Sequence, residues 1–125
     1  MAKILIVDDE EKIRYIVRKM LEGEGYEVIE AEGGKECLEI LKNDRPDLIL
    51  MDVMMPEMDG WETASAVKRD ENNKGIIISM LTVKSEDEDK IKSLDEASAD
   101  WHIAKPIKRD KLVQTIGWLL TKPLK

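Results

Sequence analysis

Leu48-Ile49-Leu50-Met51-Asp52 runs directly into Val53-Met54-Met55-Pro56-Glu57-Met58-Asp59-Gly60. Four consecutive apolar residues suit a short strand buried on both faces. A carboxylate at the end of such a strand costs free energy unless a cation or hydrogen-bond donors meet it. Three further runs end in comparable chemistry. Ile4-Leu5-Ile6-Val7 ends in Asp8-Asp9, Ile76-Ile77-Ile78-Ser79-Met80-Leu81 ends in Thr82, and a fourth short run closes at Lys105-Pro106. In an open parallel sheet the strand exits line one edge, and that edge is where ligands bind. The pattern predicts three carboxylates, a hydroxyl and an ammonium along it.

Between these runs the period changes from that of strands to that of helices. Ile13, Ile16, Val17, Met20 and Leu21 recur at helical spacing after Asp9, and Gly23 and Gly25 end the segment. Tyr26 to Glu30 alternates like an edge strand. Cys37, Leu38 and Leu41 mark a second helix that stops before Pro46. Trp61, Ala64 and Val67 mark a third. Ser85 with Glu88 three residues on forms a capping box for a fourth, with Ile91 and Leu94 on its inner face. Leu112, Val113, Ile116, Leu119 and Leu120 mark the last. Asn72 to Gly75 reads as a polar turn. The fold class expected is α/β: a flavodoxin-like doubly wound (βα)5 sandwich with a parallel five-stranded sheet of order 2-1-3-4-5. That order sets strands one and three side by side, where Asp8, Asp9 and Asp52 converge.

The chain has 125 residues, of which 42% are hydrophobic, enough for one core without staples. One domain spanning residues 1–125 is expected. Charged residues make up 38% and the net charge is -7, with a pI near 4.8. That balance argues against direct grip on nucleic acid, which needs a basic face. No apolar stretch approaches the ~20 residues of a membrane span. The single Cys37 excludes an internal disulfide and reads as a small packing residue in a reducing compartment. A cytoplasmic location is expected.

Carboxylates this close do not all stay ionised without a cation. The only ligands on offer are oxygens, which favours a hard ion, Mg2+ above all, with Mn2+ a possible substitute. A carboxylate is also a nucleophile toward phosphorus, forming an acyl phosphate. That reaction needs the phosphoryl charge neutralised, which Mg2+, Lys105 and the Thr82 hydroxyl would do. Taken singly, Asp8-Asp9 suit a helix N-terminus, Thr82 an ordinary strand end and Lys105 the surface; their joint placement argues for a site. Glu10, Glu11 and the run Glu86 to Asp89 read as first-turn acids. Met54, Met55 and Met58 read as loop packing, and Trp61 as core.

Asp8-Asp9, Asp52, Thr82 and Lys105-Pro106, at four strand ends in this order, resemble the receiver domain of two-component response regulators, of the stand-alone chemotaxis-regulator type. The likeness runs from about Lys3 to about Leu120 and includes Asp47 to Gly60, Lys84 and Ala99-Asp100. It implies that Asp52 is the phosphoacceptor. It implies Mg2+ held by Asp9, Asp52 and the Met54 backbone carbonyl, with Asp8 acting through water. Thr82 would bond the phosphoryl group, Lys105 would pair with it, and the Lys105-Pro106 bond would be cis. The donor would be a sensor histidine kinase or phosphotransfer protein. The output would be a shift of the surface formed by the fourth helix, fifth strand and fifth helix, in a monomer or a weak dimer through that face. No enzymatic turnover beyond self-phosphorylation and weak autodephosphorylation is implied.

Four positions depart from the family's habit. Val83 stands where Ala or Gly is usual, His102 where Tyr or Phe is usual, Ser98 for Gly and Ile107 for Phe. In the family the ring at the place of His102 turns inward as the hydroxyl moves; a histidine there either stays exposed or couples only when neutral. In the family the positions of Met54 and Lys84 border the water's approach, and Val83 is bulkier than the usual residue beside the acceptor; together they imply slow loss of phosphate relative to fast chemotaxis-type relatives. Two rivals are weighed. An Asp-nucleophile phosphohydrolase of the haloacid-dehalogenase type would carry an acid two residues after Asp52, where Met54 stands. A pseudo-receiver would lack parts of a set that is complete here.

Overall fold

The computed structural model describes residues 2–83 and 99–121. Five strands, β1 (Lys3–Val7), β2 (Glu27–Ala31), β3 (Leu48–Asp52), β4 (Ile77–Val83) and β5 (Trp101–Lys105), form one sheet. Its order is β2-β1-β3-β4-β5, and every pairing is parallel. The described helices are α1 (Glu11–Glu22), α2 (Gly34–Ile40), α3 (Gly60–Arg69) and a last helix, Arg109–Thr121. The flavodoxin-like class and strand order expected from sequence are those observed. The helix expected from Ser85 and Glu88 lies outside the described residues, as do Lys84, Ser98, the Val83 side chain and residues 122–125.

The unbroken apolar runs have a simple cause. Successive strand residues point to opposite faces, and both faces are covered. Leu5, Val7, Ile49, Met51, Ile78 and Met80 pack with Cys37, Trp61, Ala64 and Val67 of α2 and α3. Ile4, Ile6, Leu48, Leu50, Ile77 and Leu81 pack on the other side with Val17 and Leu21 of α1 and Leu112, Ile116 and Leu119 of the last helix. Burial pushes the Cys37 thiol up to about 12, as suits a packing residue.

Three local expectations are corrected. Ile16 is exposed, and the buried residues of α1 are Arg14, Val17 and Leu21. The inward stripe of α1 is therefore rotated from the purely apolar one, because Arg14 finds partners inside. The polar turn before β4 is a short 3-10 helix, Glu71–Asn73, capped by Asp70 through the Asn72 N–H at 2.9 Å. Asn73 is buried, and its Nδ2 donates to the Val67 carbonyl at 3.4 Å. Met54 is exposed rather than packed, whereas Met55 is buried.

Candidate functional site

Register brings the site together. Val7 pairs with Met51 and Asp52 with Leu81, so β1, β3 and β4 end side by side. Asp8 and Asp9 follow β1, Asp52 closes β3, and Thr82 lies one residue beyond the rung of Asp52. Val83 pairs with Lys105 at the end of β5. The Lys105-Pro106 bond is cis, as the family resemblance implied.

Oxygens of Asp8, Asp9 and Asp52 lie within 4.8 Å of one another. Lys105 Nζ donates to Asp52 Oδ1 at 2.6 Å and stands 4.0 Å from Asp8 Oδ2. Asp8, Asp52 and Thr82 are buried, and Asp9 is exposed at the rim. Asp8 Oδ1 accepts from the Glu10 N–H at 2.9 Å. Asp8 Oδ2 and Thr82 Oγ1 are buried without a hydrogen-bond partner. Such orphaned oxygens are rare in a well-packed interior and mark a place for a missing donor or ion. A hard cation ligated by oxygens fits this set.

Electrostatics agree with that fit. Burial pushes the Asp8 carboxyl up to about 6; the Glu10 N–H and Lys105 pull it down, and the charges of Asp52 and Asp9 push it further up. Burial likewise raises the Asp52 carboxyl, against the hydrogen bond from Lys105. Burial lowers Lys105, but its bond to Asp52 outweighs that and raises it. The folded chain thus holds the Asp8 proton more tightly than the unfolded chain does. Its contribution to stability is complete below about pH 4 and is lost as the pH rises through about 6. Asp8→Asn is accordingly expected to stabilise the cation-free chain at pH 7 by ~1–2 kcal/mol, and to do little at pH 4. Urea unfolding at the two pH values measures this; an equal or larger gain at pH 4 would contradict it.

His102 pairs in register with Met80, whose side chain lies in the α2–α3 core. It is half-buried, and its Nδ1 has no hydrogen-bond partner. The ring of its neighbour Trp101 lies nearly parallel to that of His102, with centroids 6.2 Å apart, and meets Trp118 of the last helix edge-on, with ring centroids 4.9 Å apart.

Three residues that shape the site escaped the sequence reading. Gly60 begins α3 directly beneath Asp52: a Cβ there would overlap the Asp52 carbonyl oxygen and lie 2.9 Å from Met80 Cε. The preceding Asp59 caps α3 in a capping box with Glu62, at 2.8 Å and 3.1 Å. That spacing, Asp59 to Glu62, was a signal present in the sequence. The third is Arg14, which donates to the Asp8 carbonyl at 2.7 Å. In the loop between Asp52 and Asp59, Glu57 adopts φ 67° in a tight turn closed by the Met58 N–H and the Pro56 carbonyl at 2.7 Å.

With this geometry in view, comparison with known proteins is decisive about kind. Residues 4–117 match the family model of the response regulator receiver domain. The chain belongs to that family. It is 43% identical over 119 residues to the phosphate regulon transcriptional regulatory protein PhoB of Pseudomonas aeruginosa, covering 95% of this chain and 52% of that one. The chain spans about half the length of this and several other curated relatives it matches. The structure of the chemotaxis protein CheY4 of Vibrio cholerae superposes with a TM-score of 0.86 at 37% identity, over 94% of this chain and 97% of that one. The receiver domain of a Pseudomonas aeruginosa sensor histidine kinase superposes with a TM-score of 0.87 at 27% identity, over 97% and 98% of the two chains. That structure holds a magnesium ion coordinated in its active-site cleft. Receiver domains are phosphorylatable signalling modules of two-component systems that bind Mg2+ in an acidic pocket. Among the described residues, no helix is long and apolar enough to cross a membrane.

Proposed function

We propose that this chain accepts a phosphoryl group on the Asp52 carboxylate from a phosphohistidine of a sensor histidine kinase or phosphotransfer protein. The observation that carries the reading is the 2.6 Å bond from Lys105 to a buried Asp52, beside the unpartnered oxygens of Asp8 and Thr82. An Asp52 oxygen attacks phosphorus, the phosphorus–nitrogen bond breaks, and its electron pair stays on the departing imidazole, which takes up a proton. Lys105 exchanges its carboxylate partner for a phosphoryl oxygen. The Thr82 hydroxyl donates to another phosphoryl oxygen and so gains the partner it lacks.

Asp9, Asp52 and the Met54 carbonyl would hold Mg2+, or Mn2+ in its place, with Asp8 acting through water. The ion would neutralise charge on the phosphoryl oxygens. Phosphorylation would be read out on the surface that the family resemblance assigns to a fourth helix, the fifth strand and the fifth helix; on β5 and the last helix, Trp101 and Trp118 are exposed. An output protein or a second copy in a weak dimer would meet that face, with no direct contact to nucleic acid.

Incubation with a small acyl phosphate followed by intact-mass measurement tests this. One phosphate should add in the presence of Mg2+ and none after chelation; an adduct that forms equally well without divalent cation would refute the reading. The adduct should also outlast that of fast chemotaxis-type relatives. Met54 offers no acid or amide to orient an attacking water, and in-line attack depends on that positioning. Met54→Asn combined with Val83→Ala is expected to shorten the lifetime several-fold, roughly; an equal or longer lifetime would count against the role of these positions.

A further inference from the structure

Arg14 is buried in α1, one turn after the acidic pair, and its guanidinium joins two places. Nη1 donates to the Asp8 carbonyl at 2.7 Å, and Nε donates to Glu30 Oε1 on β2 at 2.9 Å. The other Glu30 oxygen accepts from Arg18 at 2.5 Å, and Arg18 is itself held by Glu22 at 3.0 Å. The Asp8 peptide is gripped from its other side as well, where its N–H donates to the Ala31 carbonyl at 3.1 Å. With Asp8 Oδ1 on the Glu10 N–H, the one oxygen of Asp8 left without a partner is Oδ2, on the side of Lys105.

We propose that Arg14 is a positioning residue for the divalent cation: by clamping the Asp8 carbonyl to Glu30 it aims the Asp8 and Asp9 carboxylates at one ion. This rests on the reading of the acidic cluster as a cation site. Two opposed effects decide the test. Arg14 is a positive charge beside the cluster, so if its charge alone mattered, removing it would tighten cation binding. If its geometry matters, loss of the clamp weakens binding despite the more favourable field. Lysine at this position keeps the charge but lacks the planar fork that serves two acceptors at once.

Titration calorimetry of the full chain with Mg2+ alone at pH 7 would compare Asp9→Asn, Arg14→Lys and Arg14→Met with the unsubstituted protein, alongside thermal unfolding of each. Both Arg14 variants should bind Mg2+ about tenfold more weakly while still folded at the titration temperature, as loss of an outer partner commonly does. Arg14→Lys carries the test if Arg14→Met does not fold. Affinity of the lysine variant equal to or tighter than that of the unsubstituted protein overturns the proposal and leaves Arg14 a purely structural residue, visible only in the melting temperature. Absence of Mg2+ binding by the unsubstituted protein, or equal binding by Asp9→Asn, overturns the cation site itself and this proposal with it.

Discussion

Asp52→Asn is expected to abolish phosphoryl uptake from a small acyl phosphate, with the chain still folded. The buried carboxylate is the group that the site surrounds with a cation, Lys105, at 2.6 Å. An amide of the same shape offers no anionic oxygen for attack on phosphorus and gives no acyl phosphate. It also removes one ligand from a cluster of three carboxylates. The surrounding sheet does not depend on that charge, because Asp52 lies at the last rung between β3 and β4. Intact-mass measurement with far-UV circular dichroism on the same sample checks both halves. An adduct on the asparagine variant matching that of the unsubstituted chain would move the acceptor to another residue.

Gly60→Ala is expected to cost ~2–4 kcal/mol of stability and to slow phosphorylation as well. The glycine is needed for space. The Gly60 N–H donates to the Val53 carbonyl at 2.9 Å, which draws the start of α3 against the end of β3. A methyl there overlaps the Asp52 carbonyl oxygen, a backbone atom that cannot swing aside as the Met80 Cε could. Relief requires α3 and the end of β3 to part, and that moves the phosphoacceptor. Gly117, in the last helix, is the internal contrast. An added Cβ meets nothing within 4 Å, so Gly117→Ala should stabilise by ~0.5–1 kcal/mol. Urea unfolding of both variants measures the difference; a Gly60→Ala midpoint equal to that of the unsubstituted chain would show that the contact relaxes freely.

The carboxylates were legible because each ends a run whose meaning is local. Ile4 to Val7 and Leu48 to Met51 are apolar without interruption, and Ile76 to Leu81 is apolar but for the buried Ser79, as a strand covered on both faces demands. A polar residue at the exit of such a strand then has one place to be, the ligand-binding edge. The pairing of Asp52 with Lys105, 53 positions away, followed from placing both at strand ends. His102 was legible as a departure, and its half-buried position with an unpartnered Nδ1 is a property of the packed fold.

Helical periodicity on α1 pointed to one apolar stripe, Ile13, Ile16, Val17, Met20 and Leu21. The fold buries Val17 and Leu21, packs Ile13 and Met20 partly against them, leaves Ile16 exposed and buries Arg14 in its stead. The difference is made by the Asp8 carbonyl and Glu30, which satisfy a buried guanidinium that would otherwise be costly. The contact of Gly60 with the Asp52 carbonyl is of the same kind: it depends on how closely a helix and a strand approach. Strand order, the set of chemical groups at the sheet edge and the family they belong to follow from the residues in line. The burial of Arg14, the requirement for Gly60 and the unpartnered state of Thr82 arise only when distant segments are pressed together, since partner satisfaction and free volume are set by packing and not by sequence period.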